Sequence, residues 1–557
     1  MLDWPEVHHT EVDGVPVVWA SVPGPLRAGL MLRVGSADET LVTSGITHLL
    51  EHLALFGIGR PGDHSNGHVD QTTLHLHCVG DAGSVTHFIG AVSRQLTDVP
   101  TARLADELGV LRSELAGRRS TIEDSLLAWR YGALTYGLTA QTQYALETVD
   151  ADQIRAWAGR HATRGNAVIW LSGPPPSGLR VHLEDGEPVP APDARRTIQP
   201  GLPAWFSAPD STGVALHAVL PRDHASPAVA AVLQSRLVDR LRVEGAMAYS
   251  PQTDYRAMTR DAGRLLAVSD LVDGRQTEAV RVFTTVLADM ADQRPPSPDE
   301  LNEWRDSRGR EAAEPLAPLS FVAAQAWNLL VGHPVVSAEE ADTAMRRLTS
   351  ADVAASAGLV LGSAVAAVPD GVALTHEPWQ QAAPTILDPL EGVEVRGLVP
   401  SRSEVLVVSP QGLTWRGGTD HVTVPSDGAA AVLHWQDGRR VVIGNDANRI
   451  VVEPTLWLGG RSVVQHVDAV FAAELRVDQG ERDAEEIPQP PALASSPPPP
   501  SVAAALWSTW WPRLRLLLLV ALVVALVVAA VVARRPALLF WPLVILAFRH
   551  WAHRDPE

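Results

Sequence analysis

Two stretches near the N-terminus, residues 15–20 and 27–34, are short, almost continuously apolar runs, and Pro23, Gly24 and Pro25 lie between them. Short apolar runs separated by a turn signal predict a pair of strands. A third run, residues 72–79, alternates apolar and polar positions and follows a loop rich in Gly, Pro and Asp at 57–66. The period then lengthens. Val85, Phe88, Ile89, Val92 and Leu96 recur at helical spacing, and so do Leu104, Leu108, Leu111 and Leu115. Strands followed by helices predict an α+β layer.

Much later the pattern repeats. Thr148 to Ile154 lead into a helical stretch and then an apolar strand at 166–171, while Leu348 to Val353 lead into another helix and a strand at 363–368. Two tandem homologous α+β domains are the simplest reading, residues 1–185 and 200–375, with a Pro-rich connection between them. From about Glu391 the chain changes to short β runs at 405–408, 422–424, 431–435, 441–444 and 449–452. Gln436-Asp437-Gly438-Arg439 reads as a two-residue hairpin turn, and a helix is expected over 463–475. Residues 391–478 therefore form a small, mostly β domain closed by a helix, an outline shared with pleckstrin-homology-like folds.

Residues 479–512 are acidic, then rich in Pro, Ser and Ala, and read as an extended linker. Within the last segment, 513–557, residues 514–533 are apolar except for Arg515, long enough to cross a bilayer. A second apolar run, 537–548, contains Pro542; it either completes a hairpin or lies in the interface. Trp507, Trp510 and Trp511 precede the span as an interfacial belt. The N-terminus shows no secretory leader, so the expected location is the cell membrane with the polar domains on the cytoplasmic side.

Composition narrows the options. The chain of 557 residues has a formal charge of −19, and all 45 basic residues are Arg. That balance excludes duplex nucleic acid as a partner of the whole protein. The single cysteine, Cys78, rules out an intramolecular disulfide or a Cys-based zinc cluster.

The candidate chemistry lies at His48-Leu49-Leu50-Glu51-His52. Residues four apart on a helix point the same way, so His48 and His52 aim two imidazoles at one spot with Glu51 beside it. Two neutral imidazoles can hold zinc, Glu51 can take a proton from water, and a third ligand must come from elsewhere. Glu114 is a candidate on the helix marked by Leu104 to Leu115, and Glu107 lies two turns before it on nearly the same face. One could be a ligand and the other could orient an imidazole; the plain alternative is a pair of solvated glutamates. His64, His68, His75 and His77 cluster nearby and read as the solvated face of a strand.

With these residues in hand, the sequence resembles the pitrilysin/insulinase family of inverzincin zinc metallopeptidases, including the mitochondrial processing peptidases. The matches are Gly35-Ser36-Ala37-Asp38-Glu39 ahead of Gly45 to His52, then Asn66-Gly67-His68-Val69-Asp70-Gln71-Thr72-Thr73 leading into a strand, then Glu107 and Glu114. The resemblance implies a Zn2+ cofactor held by His48, His52 and Glu114, with Glu51 as general base and Glu107 as supporting catalytic carboxylate. Asn66 would belong to the edge strand that receives the peptide. In the second half, Arg242, Gly245 and Tyr249, spaced R-x-x-G-x-x-x-Y within Leu241 to Ser250, resemble the family's Arg-Gly-Tyr element, which implies substrate binding by Arg242 and Tyr249. The expected activity is zinc-dependent endopeptidase action on peptides or unfolded and precursor proteins; the alternative is a catalytically silent, membrane-anchored peptide-binding scaffold. The gap from His52 to Glu114 is shorter than the family norm, and two domains are half of what many members use, which implies a homodimer or a related partner subunit.

Overall fold

The computed structural model describes residues 5–58, 64–209, 211–383, 387–398 and 403–489. The expected membrane runs at 514–533 and 537–548, their flanking tryptophans and the linker from residue 490 on lie outside the described residues. Among the described residues, no helix is long and apolar enough to cross a membrane.

Met1–Pro488 form one compact unit. Its first sheet contains β1 (His8–Val12), β2 (Val15–Trp19), β3 (Leu26–Leu32), β4 (His64–Val69), β5 (Leu74–Gly80) and β6 (Ala167–Leu171), in the order β1-β2-β6-β3-β5-β4. Helices α1 (Ile46–Leu55), α2 (Ala82–Thr97), α3 (Leu104–Ala116), α4 (Ile122–Tyr131) and α5 (Ala151–His161) accompany it. The second sheet contains β7 (Ala204–Ala208), β8 (Gly213–Pro221), β9 (Gln252–Ala257), β10 (Ala262–Asp270), β11 (Val365–Pro369) and β12 (Gln380–Gln381), in the order β12-β7-β11-β8-β10-β9. Its helices are α6 (Ala225–Leu237), α7 (Gln276–Ala291), α8 (Pro298–Ala312), α9 (Ala317–Leu330), α10 (Ala338–Arg347) and α11 (Ser350–Gly362).

Five strands correspond one to one, in order and in direction. β2 runs parallel to β6 as β7 does to β11, and the remaining neighbours are antiparallel in both sheets. The sixth strands differ, because β1 is antiparallel to β2 whereas β12 is parallel to β7.

Each sheet has one face covered by a helix from the other half. Val322 and Ala326 of α9 pack against Val18, Met31, Val168 and Trp170 of the first sheet. Leu126 of α4 packs with Ala204, Phe206, Ala215, Val365 and Ala367 of the second. This exchange explains why both central strands, β6 and β11, are buried along their whole length: both faces are covered, and the alternation seen in β5 is lost.

The β region is an antiparallel meander of β13 (Val393–Arg396), β14 (Glu404–Ser409), β15 (Gly412–Gly417) and β16 (Asp420–Pro425). A second sheet holds β17 (Ala429–His434), β18 (Arg440–Gly444), β19 (Arg449–Val452) and β20 (Arg476–Asp478), and α12 (Gly460–Val470) packs against their shared core. Two local expectations need correction. The β17–β18 connection is a three-residue loop, with Trp435 still bonded to Arg439 and Gly438 at a φ of 99°, because the left-handed glycine closes a wider turn than two residues allow. The C-terminal helix begins earlier and stops at Val470, after which Phe471 turns extended and enters the core.

Candidate metal centre

Helix α1 is built to hold its polar face still. Leu49, Leu50, Leu53 and Ala54 are fully buried against the first sheet, at roughly 1.5–3 kcal/mol for each large apolar side chain. Its start has no side-chain cap of its own, since the residue there is Gly45 at a φ of 92°. Glu39 caps it instead, accepting from the backbone N–H of Gly45 at 2.8 Å and of Thr47 at 2.9 Å. The carboxyl is buried, and burial pushes it up to about 7 against the pull of those donors.

On the opposite face, His48 and His52 meet edge to face with ring centres 5.0 Å apart. Their Nε2 atoms each lie 3.8 Å from the same oxygen, Oε2 of Glu114, on α3. Ligands at zinc distances of 2.0–2.2 Å around a tetrahedral ion stand about 3.4 Å apart, so a small inward shift makes this a zinc-sized gap. Two imidazoles and one carboxylate are also the right donors for a catalytic zinc, with a coordination position left over. Burial, then the charge of His52, lowers the pKa of His48 and favours the neutral ring that a metal requires.

Glu107 occupies the place of an outer partner. Its Oε2 is 3.2 Å from Nδ1 of His52, the ring nitrogen turned away from Glu114. The stripe of Leu104, Leu108, Leu111 and Leu115 seats α3 on the same core as α1, which fixes both carboxylates relative to both imidazoles.

Glu51 is 7 % exposed and makes no hydrogen bond or ion pair among the described residues. Burial raises its pKa, opposed by the nearby His52 and His68. It sits under β4, the edge strand: a Cβ on Gly67 would lie 2.8 Å from Glu51 Oε1. Gly67 and Val69 therefore face the helices, while Asn66 and His68 point to the other side of the sheet. Asn66 is on the edge strand, paired in register with His77, but its side chain is directed away from Glu51.

Of the nearby histidines, His64 and His68 are exposed as expected, whereas His75 and His77 are half-buried. His68, His75 and His77 bring one nitrogen each to within 4.8 Å of the others. His75 is the least available of them. Trp170 donates its indole N–H to His75 Nε2 at 2.8 Å in a space that Gly29 leaves open, so the ring's proton resides on Nδ1 and neither nitrogen is free for a metal. Burial lowers His75 to about 3, whereas the Asp70 carboxylate beside His68 raises that ring.

Arg242 and Tyr249 are brought to each other, with the guanidinium 5.3 Å from the ring centre. Arg242 lies in a π-helical stretch, Val238–Glu244, and Tyr249 is strongly exposed with its backbone N–H bonded to Asp270. Neither forms a hydrogen bond or ion pair with His48, Glu51, His52 or Glu114. Gln143, against the start of α1, was missed in the sequence, where a lone Gln in a short turn carries no periodic or motif signal.

The fold is similar to that of solved M16 peptidase domains and of related proteases. A protease from Helicobacter pylori superimposes with a TM-score of 0.54 at 16% identity, covering 66% of this chain and 100% of that one. An inactive M16 peptidase domain from Pseudomonas fluorescens gives 0.54 at 14% identity, covering 66% and 99%. The first half of the periplasmic protease PqqL from Escherichia coli gives 0.51 at 15%, covering 66% and 92%. No protein-family model matches the sequence, and no curated protein matches it.

Proposed function

We propose that this chain is a zinc-dependent endopeptidase. The observation that carries the reading is the convergence of His48 Nε2 and His52 Nε2 on one oxygen of Glu114, with Glu107 behind His52 and the uncommitted Glu51 alongside. A silent scaffold has no need of that set, and all five residues are in place.

Zinc, when bound by His48, His52 and Glu114, supplies Lewis acidity toward the scissile carbonyl and acidifies a water molecule. The chain's own residues do the rest. The free edge of β4 offers unpaired backbone groups to an extended peptide, and Gly67 lets that edge pass directly over Glu51. Glu51 accepts the proton of the attacking water and returns it to the departing amine, a role suited to a carboxyl whose pKa burial has raised. Glu107 holds His52 with Nε2 toward the metal. Arg242 and Tyr249 are proposed to grip the substrate from the second half, and Asn66 to contribute through its place on the edge strand. The same proposal includes unfolded or precursor proteins as substrates, a membrane anchor in 513–557 with the other domains cytoplasmic, and a homodimer or related partner chain.

Elemental analysis of the purified full-length chain tests the metal. One zinc per chain is expected for the wild type and a large loss for His48→Ala and for Glu114→Gln. Equal zinc in all three would contradict the assignment.

A further inference from the structure

Away from the metal centre, the connection between the two halves closes over a cavity of about 810 Å³. Pro188, Pro190 and Pro192 keep that stretch extended, because a proline at every second position fixes φ and removes every second N–H, which excludes helix and sheet ladder alike. It is pinned on both sides. Val189 accepts from Arg33 Nε at 3.0 Å and donates its N–H to Asn166 Oδ1 at 3.0 Å, while the Tyr136 hydroxyl donates to the Pro192 carbonyl at 2.8 Å. The prolines form one wall of the cavity, and Leu329, Leu330 and Val331, where α9 ends, form another. Leu329 is 38 % exposed, so this wall presents open apolar surface.

Four arginines and two aspartates line the same space, a positive balance inside a chain whose formal charge is −19. Two of the arginines are already committed. Arg33 is bound to Asp38 and to the Thr72 carbonyl as well as to Val189, and Arg195 holds both the carboxylate and the carbonyl of Asp261. The other two are not. The backbone carbonyl of Arg260 takes His333 Nδ1 at 2.7 Å, but its guanidinium has no hydrogen bond or ion pair among the described residues. Arg164 reaches Asp185 through Nη1 at 2.8 Å, a carboxylate that is itself 90 % exposed, and its Nε is enclosed with no acceptor. The stem of Arg164 lies against Gly14, where a Cβ would stand 3.1 Å from Arg164 Cδ. An enclosed donor without an acceptor and a guanidinium without a counter-charge are both relieved by an anion, and apolar walls strengthen the pairing by keeping water away.

We propose that this cavity binds a carboxylate carried on an apolar body, its charge taken by Arg260 and by Nε of Arg164 and its body by the proline and leucine walls. Arg164 belongs to the first half, Arg260 to the second and the prolines to the connection, so the bound molecule ties all three together. The site stands apart from the zinc reading and does not depend on it. Two sources supply this chemistry, a fatty acid and the C-terminus of a peptide.

Calorimetric titration of the full-length chain with octanoate, octanol, acetyl-dileucine and the C-terminal amide of acetyl-dileucine is the test. One saturable site per chain is expected for a carboxylate, and none for octanol or the amide. Tighter binding of octanoate names a fatty acid as the source, and tighter binding of acetyl-dileucine names a peptide C-terminus. Arg260→Glu should weaken the bound carboxylate by about 10–100-fold, the loss of a hydrogen bond between charged groups, and Arg164→Met should weaken it by about 10-fold. The proposal is overturned if neither carboxylate saturates, if octanol or the amide binds as well, or if neither substitution weakens binding. Arg260 is exposed in the connection between β9 and β10, so Arg260→Glu decides alone if the Met variant does not fold.

Discussion

Glu39 shows how much of the centre depends on a residue that touches no ligand. Its two oxygens satisfy two backbone donors at the start of α1, and an amide in its place could satisfy only one. Because burial raises this carboxyl to about 7, the folded chain holds a proton there that the unfolded chain has already released above its ordinary value of 4.5. The folded state then binds more protons than the unfolded state, so this group's contribution to stability is full below pH 4.5, falls as pH rises toward 7 and is flat beyond. Urea unfolding of wild type and Glu39→Gln from pH 4.5 to 8 should show a shallower decline with pH in the variant. Identical slopes would mean that Glu39 does not titrate in this range.

At the scale of elements, the centre is a contact between α1 and α3, and Leu111 is the fully buried residue of α3 at that contact. Leu111→Ala should cost about 2–5 kcal/mol. It should also weaken zinc, since both Glu107 and Glu114 ride on the same helix; chemical unfolding and zinc competition read the two effects separately, and a stability loss with unchanged affinity would mean that α3 is placed by something else. Much of this pairing was legible in sequence. The leucine stripe of α3 and the apolar run of α1 both have helical period, and the motif residues stand at fixed offsets from them. β4 was harder to see, since His64-Ser65-Asn66-Gly67-His68-Val69 has little apolar character for an edge strand whose backbone pairs on one side only. β1, β13, β15 and β20 left similarly faint traces. The solvated reading of His75 and His77 failed because a period of two shows which residues share a face, not that the face turns inward beside Trp170.

For the molecule as a whole, the informative feature is the exchange of covering helices. α4 belongs in sequence to the first half and packs on the second sheet; α9 does the reverse. No local pattern reveals this, because an amphipathic helix specifies that it has an apolar face and not which sheet receives it. Arg130 marks the same junction: it lies in the last turn of α4, is fully buried, and donates to backbone carbonyls of His217 and Ser363 in the second half. The two halves therefore support each other's sheets, and the edge strand beside Glu51 is held by packing that extends well beyond the motif. The central claim is that this framework serves hydrolysis by Glu51. Digestion of a peptide library by the full-length chain, wild type against Glu51→Gln with zinc content measured on both, addresses it most directly. The account predicts cleavage by the wild type and none by the variant at equal zinc; cleavage by the variant at the wild-type rate, or no cleavage by a zinc-loaded wild type, would contradict it.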